Sequence, residues 1–355
     1  MREVNPKFWV GKRVFLTGHT GFKGSWLSLW LQSLGAEVFG FALNPPTTPS
    51  LFVEADVAKG MRSTIGDIRD YAAVISAIKN CNPDIIIHMA AQPLVRYSYK
   101  SPIETYSINV MGTVHLYEAA RQVESVKAIV NVTTDKCYEN KEWVWGYRED
   151  DSIGGHDPYS NSKGCSELVT NAFRSSFMQN QGIALASARA GNVIGGGDWA
   201  ADRLVPDILK AFEQSKQLII RNPHAIRPWQ HVLEPLAGYL ILAESLYLEG
   251  DKFSEGWNFG PQNEGAQSVK WIVEKMAKHL GIETAWDLST EEQPHEATYL
   301  KLDISKSRTR LGWRPRWDLE TALSYVINWH QYWLRNRNAQ VECLRQIRDY
   351  QNKQI

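Results

Sequence analysis

Val14-Phe15-Leu16-Thr17 runs directly into Gly18-His-Thr-Gly21-Phe-Lys-Gly24. Trp26, Leu27, Leu29, Trp30, Leu31 and Leu34 then follow a helical period that Gly35 stops. A short apolar strand, a glycine loop and a helix in that order constrain the fold more than any other stretch of the chain. Glycines let the backbone turn tightly and approach a diphosphate, while the helix amino terminus offers unpaired N–H groups and partial positive charge. Gly18, Gly21, Phe22, Lys23 and Gly24 are therefore candidate dinucleotide contacts. The spacing is G-x-x-G-x-x-G, not the G-x-G-x-x-G of the commonest dehydrogenases, and a glycine turn without a ligand is the alternative.

The segments that follow repeat the theme. A second strand, Val38–Ala42, enters Leu43-Asn44-Pro45-Pro46, where neither a carboxylate for a ribose 2′-hydroxyl nor a cation for a 2′-phosphate stands, so NAD is favoured over NADP. After Arg62–Ile65, Asp67 and Ile68 are placed to touch an adenine edge, a solvated turn aspartate being the alternative. The strand Asp84–His88 leads to Met89-Ala90-Ala91-Gln92, small residues that allow a cofactor to approach. Pro102 to Val123 reads as one helix, and Asn109 inside it implies a hydrogen-bonding task, because Asn is unfavourable in a helix interior. Ile129–Val132 is a buried strand ending in Thr133-Thr134-Asp135-Lys136, and Ala184–Arg189 ends in Gly191-Asn192-Val193.

This rhythm predicts an α/β fold: a Rossmann-like, doubly wound parallel sheet with right-handed crossovers. The dinucleotide-binding domain is expected over 1–192, completed by parts of 228–258. A smaller α+β substrate lobe is expected over 193–355, with a late strand at Tyr299–Leu302 and a final amphipathic helix through Leu334.

Reactive groups in such sheets collect at the carboxyl ends of strands. Tyr159 and Lys163 are spaced i, i+4, one turn apart on one helix face. An ammonium beside a phenol favours the phenolate, so Tyr159 is a candidate general base whose pKa Lys163 is expected to lower. Thr134, Asp135 and Lys136 would meet that face in one crevice. Equal numbers of basic and acidic residues, 39 of each, argue against nucleic acid or an anionic membrane as partner. The cysteines Cys81, Cys137, Cys165 and Cys343 lack metal-like spacing and nine histidines are scattered, so no metal is expected. Met1–Lys7 carries no apolar core of signal-peptide length, and reduced thiols in the cytoplasm are expected. Fourteen tryptophans imply many buried indoles or an aromatic-tolerant ligand. A nucleophilic Cys137, two residues from Asp135, is a minor alternative.

Taken together, Thr17-Gly-x-x-Gly21-x-x-Gly24, His88-Met-Ala-Ala-Gln92, Asn109-x-x-Gly112-Thr113, Thr134-Asp135 and Tyr159-x-x-x-Lys163 resemble the extended short-chain dehydrogenase/reductases. Thr133-Thr-Asp-Lys-Cys-Tyr138, Gly195-Gly-Gly-Asp-Trp199, Asp202-Arg203-Leu204 and Asn44-Pro-Pro-Thr-Thr-Pro49 extend the likeness over nearly the whole chain. They resemble the nucleotide-sugar 4,6-dehydratases, above all those acting on CDP-glucose in deoxysugar biosynthesis of the O-antigen type.

The resemblance implies NAD held by the glycine loop, Asp67, Ile68, Ala90, Ala91, Gln92, Asn109, Thr133, Tyr159 and Lys163. It also implies Tyr159 as C4 base, Asp135 as general acid and Lys136 at the position of the C5 base. Relatives acting on dTDP-glucose carry Asp-Glu where this chain has Asp135-Lys136, which leaves the C5 base open between Lys136 and, with Lys136 as a cation on the enolate, Tyr159 or water; an ion pair of Lys136 with Asp135 or Glu139 is the structural alternative. Asn192, Arg203, Leu204, Arg221, Arg227 and Tyr299 are the expected substrate contacts, with His295 near the same pocket; guanidinium matches diphosphate oxygens. A homodimer or dimer of dimers is expected through the helices near Pro102 and Tyr159. The rival readings are a nucleotide-sugar 4-epimerase and a non-catalytic NAD-binding sensor.

Overall fold

Continuous apolar runs buried on both faces are what a central parallel strand requires. Arg13–Thr17 (β1), Ile85–His88 (β4) and Ala128–Val132 (β5) supply them. The computed structural model describes residues 2–214, 216–282, 286–290 and 298–352. With Glu37–Ala42 (β2), Arg62–Ile65 (β3), Ala184–Ala190 (β6) and Gly256–Phe259 (β7), these strands form one seven-stranded parallel sheet. Its order is β7-β6-β5-β4-β1-β2-β3. The expected doubly wound sheet is therefore present. The order reverses between β1 and β4, which opens a crevice at their carboxyl ends.

The helix Phe22–Ser33 (α1) is buried along almost its whole length because it packs between the sheet and the carboxy-terminal helices. On the other face lie Tyr71–Cys81 (α2) and Gly112–Ala120 (α3). The helix predicted from Pro102 is interrupted: Pro102–Tyr106 passes through a π-turn, Ser107–Met111, before α3. Asn109 sits in that turn and is buried. Its amide accepts from the Gln92 N–H (2.9 Å) and donates to the Gln92 carbonyl (3.1 Å) and Ser162 Oγ (2.9 Å). The helix that carries Tyr159, Pro158–Phe173 (α4), is thus tied to the end of β4. Asp157 caps it by accepting from the Ser160 N–H.

Beyond β6 the chain builds the smaller lobe from Leu204–Glu213 (α5) and short two-stranded sheets, while Leu233–Glu249 (α6) returns to pack against β5 and β6. Leu319–Asn336 (α7) and a further helix, Ala339–Asn352 (α8), close the chain. Two expectations change here. Tyr299–Leu302 is not a strand; it makes only isolated bridges, Ile226 to Tyr299 and Tyr147 to Leu302. The ending is two helices, and α8 returns to α1 through the Trp30–Tyr350 ring contact at 5.7 Å. The tryptophans serve mainly as packing, with Trp199 against Trp329 and Trp333, and Trp317 stacked on Tyr325 at 4.0 Å. Among the described residues no helix is long and apolar enough to cross a membrane, and no cluster of potential metal ligands occurs.

One buried ion pair fastens the catalytic strand ends. Glu167 on α4 accepts from Arg189 Nη2 (2.9 Å), Ser187 Oγ (2.6 Å) and the Thr133 hydroxyl, joining β5, β6 and α4. Burial alone would raise its pKa, but Arg189 and these hydrogen bonds outweigh it and hold the carboxyl below its ordinary value. Its contribution is therefore complete above the unfolded pKa and is lost as pH falls through the folded one. Glu167→Ala leaves Arg189 buried and unpaired, and should cost about 3–5 kcal/mol in urea denaturation at neutral pH. Glu167→Gln should also flatten the acid limb of a stability–pH curve; an unchanged acid limb would contradict the pairing.

Candidate active site

The crevice at the strand ends deepens into a cavity of about 720 Å³ between the sheet and the smaller lobe. One end is lined by Thr133, Thr134, Asp135, Lys136 and Tyr159, the other by α5 and the strand Leu218–Ile220. The strand end of β5 and the first turn of α4 are thus brought together, as the spacing predicts.

The glycine loop lies beside this end. Gly18 takes φ +76° and packs so closely on β4 that a Cβ would lie 2.8 Å from the Ala90 nitrogen. At Gly24 an added Cβ would fall 2.1 Å from the Gly18 carbonyl oxygen, so a side chain there would prevent the loop from closing. The Thr17 hydroxyl orders the same junction, accepting from the Met89 and Ala90 N–H groups (3.0 and 3.1 Å) and contacting His88 Nδ1 at 2.7 Å. α1 begins at Gly21 without a side-chain cap, which leaves its first N–H groups to a ligand. A dinucleotide diphosphate fits that mouth.

Ala90 and Ala91 are half-buried beside it, and Ile68 is buried against Gly112. Gln92 is buried, its side chain spent on Leu94 and Thr105. Asp67 is gripped by Arg69, which lowers its pKa despite some burial. Phe22 and Lys23 line the cavity itself. Enclosure, reinforced by Lys163 and Arg203, pushes the Lys23 pKa down to about 7.

The catalytic cluster departs from expectation in its protonation. Burial drives the Tyr159 phenol up to about 12; hydrogen bonding to Thr134 and the charge of Arg203 pull it down, and Asp135 pushes it further up. Lys163, expected to lower it, instead donates to the Val132 carbonyl (3.3 Å). Burial lowers the Lys163 pKa to about 8 against the opposing field of Glu167. With Lys163 turned away, burial outweighs Thr134 and Arg203 and decides the state of the phenol. Asp135 is raised by burial, its Oδ1 accepting from the Thr134 hydroxyl (3.0 Å), while Oδ2 is buried with no partner among the described residues. Burial thus biases the carboxyl toward its acid form, against the charge of Lys136 and the Thr134 hydrogen bond. Lys136 is half-buried at the cavity wall, and neither expected ion pair, with Asp135 or with Glu139, forms. Cys137 is fully buried and its thiol is pushed well up, which removes the basis for a thiol nucleophile.

Asn192, Arg203, Leu204, Arg221 and Arg227 all line the cavity. Arg203 pairs with Asp198 (2.8 Å) and Arg221 with Asp202 (3.2 Å), while Arg227 Nη1 donates to the Ile226 carbonyl (3.0 Å). Tyr299 does not line the cavity; its backbone is held by Glu142 and Asn140 instead. His295 lies outside the described residues. Sequence reasoning missed Arg96, which also pairs with Asp202 (3.1 Å), and Asp207 in the first turn of α5. The signal for Asp207 was present in its place one helical turn after Arg203.

Thr134→Val should remove the hydroxyl that helps lower the Tyr159 pKa. The limb of kcat/KM that rises as the phenol ionises should then move to higher pH, with kcat down about 10–100-fold. A pH–rate profile that shifts the other way, or not at all, would contradict this arrangement.

The GDP-mannose 4,6-dehydratase family matches residues 15–325. The sequence is 59% identical to the CDP-glucose 4,6-dehydratase of Salmonella typhimurium over 352 residues, 98% of each chain. It is 26% identical to the UDP-glucose 4-epimerase of Halalkalibacterium halodurans, over 90% of this chain and 95% of that one. A dTDP-glucose 4,6-dehydratase from Streptomyces venezuelae, solved with NAD bound, shares the fold. Its TM-score is 0.79 at 22% identity, over 92% of this chain and 98% of that one.

Proposed function

The chain belongs to the GDP-mannose 4,6-dehydratase family of extended short-chain dehydrogenase/reductases, and from that membership we propose that it is an NAD-dependent CDP-D-glucose 4,6-dehydratase. It converts CDP-D-glucose to CDP-4-dehydro-6-deoxy-D-glucose, a hydro-lyase step of deoxysugar biosynthesis of the O-antigen type. The observation that carries the reading is the enclosed acid Asp135, with a free buried oxygen beside Thr134 and Tyr159. A 4-epimerase has no leaving group to protonate and no need of such an acid.

The glycine loop and the β4 end would hold NAD, with Lys163 at its ribose, and the cofactor would supply the hydride acceptor for C4 and the donor for C6. Tyr159 takes the C4 hydroxyl proton, and the Thr134 hydroxyl hydrogen-bonds the C4 oxygen. Protonation of Asp135, which burial favours, lowers the cost of the phenolate, because a neutral carboxyl no longer repels it. A ketone at C4 acidifies the C5 proton, which Lys136 removes as the C6–O bond breaks. Asp135 gives its proton to the departing hydroxyl, so water leaves and the sugar is protonated again at C5. Arg203, Arg221 and Arg227, with Asn192 and Leu204, hold the CDP portion.

We further assign a homodimer or dimer of dimers through the Pro102 and Tyr159 helices. That reading is supported by strongly exposed apolar residues there, Ile103 at 87% and Leu168 at 59%. The unpaired cysteines fit a cytoplasmic enzyme.

With CDP-glucose and NAD the protein should release one water from the sugar nucleotide without net NADH, giving a 4-ketosugar that absorbs in alkali. Unchanged mass with inversion at C4 would make it an epimerase instead. In deuterated water, Asp135→Asn should still exchange the C5 hydrogen while dehydration falls about 10²–10⁴-fold. Lys136→Met should lose the exchange but still oxidise C4, seen as transient near-ultraviolet absorbance of reduced cofactor.

A further inference from the structure

Of the cavity carboxylates that have no part in the reaction above, Asp198 and Asp202 pair with arginines and Asp287 is exposed, which leaves Asp207. Asp207 lies in the first turn of α5, and its N–H donates to the Arg203 carbonyl (3.0 Å). Four residues of helix place it about 6 Å beyond Arg203 along the axis. Its side chain is half-buried in the cavity wall and makes no hydrogen bond or ion pair with any described residue.

Its position along the cavity follows from its neighbours. Apart from burial, the groups acting on Asp207 are Arg221, Asp202, Lys210 and Asp198, whereas Arg203 and Asp135 act on Tyr159. The cavity therefore runs from Tyr159, past Arg203 with Asp198 and Arg221 with Asp202, to Asp207. A sugar nucleotide with its hexose at Tyr159 and its diphosphate along the arginines brings its base to Asp207. There Leu204, Pro206, Leu218 and Ile220 offer apolar walls for a flat ring, and Asp207 is left for its polar edge.

We propose that Asp207 selects cytosine over uracil and thymine by accepting a hydrogen bond from the exocyclic 4-amino group, an inference that rests on the nucleotide-sugar reading above. Cytosine presents a donor at position 4, which a carboxylate accepts. Burial pushes the Asp207 carboxyl up to about 6; above that pH uracil and thymine present a carbonyl oxygen to an ionised carboxylate, and two acceptors would face each other. Selectivity then comes from repulsion of the wrong base as much as from attraction of the right one.

Calorimetric binding of CDP and of UDP tests the assignment apart from turnover. The wild-type protein should prefer CDP by about tenfold or more. Asp207→Asn can turn either its carbonyl or its amide N–H to the base, so the preference should collapse through tighter UDP binding. Asp207→Leu, of similar size, should lose CDP affinity without gaining UDP. With CDP-glucose, both variants should raise KM far more than they lower kcat. A CDP-to-UDP ratio within twofold of wild type in both variants overturns the assignment, even if CDP-glucose is dehydrated normally. Conversely, a ratio that shifts in a protein that dehydrates no CDP-glucose would uphold Asp207 as the base reader and sink the dehydratase reading.

Discussion

The removal of charge from water at the carboxyl ends of β5 and β6 is the constraint on which the rest of this structure depends. An ionisable group buried there must be neutralised, paired or hydrogen-bonded. Glu167 is paired, with Arg189, and hydrogen-bonded by Thr133 and Ser187. Asp135 accepts from the Thr134 hydroxyl and keeps Oδ2 without a partner among the described residues, so burial favours its acid form. Two carboxyls on neighbouring elements are thus shifted in opposite directions. One serves as a structural anchor and the other as a proton store for the chemistry proposed.

The same constraint explains the phenol. The i, i+4 spacing of Tyr159 and Lys163 places both on one helix face, yet spacing does not decide where the ammonium points. In the folded chain it donates to the Val132 carbonyl, and the tyrosine is left to burial, which keeps it protonated. Ionisation of the phenol therefore depends on what else enters the site, and Thr134 and Arg203 are the groups already placed to favour it.

The smaller lobe completes the cavity and is held by aromatic packing more than by charge. Trp199, Trp329 and Trp333 gather beneath the glycine-rich loop that precedes α5, and the Trp26 Nε1 donates to the Gly196 carbonyl (2.9 Å). α5 is thereby fixed with Arg203 and Asp207 in the cavity wall. α8 was legible in principle: Ala339, Cys343, Ile347 and Tyr350 repeat at helical spacing and are all buried. Charged residues fill the rest of that segment, which masked its narrow apolar stripe. Tyr299–Leu302 misled in the opposite direction, since alternation suits a strand but the segment finds no continuous partner among the described residues.

Local order determined much of this protein before any folding was considered. The run of strand, glycine loop and helix, and the repeated apolar strands, dictate a parallel sheet, because no other arrangement satisfies those backbones and buries those faces. The same order puts Thr134, Asp135 and Tyr159 at strand and helix ends, where a parallel sheet gathers its chemistry. Only the tertiary structure decided titration and pairing: among the described residues Asp135 keeps a buried oxygen without a partner, Lys136 and Asp207 form no ion pair, and Arg203 and Arg221 already hold carboxylates. Those properties depend on solvent exclusion and on distances between segments far apart in the chain, which residue spacing does not encode.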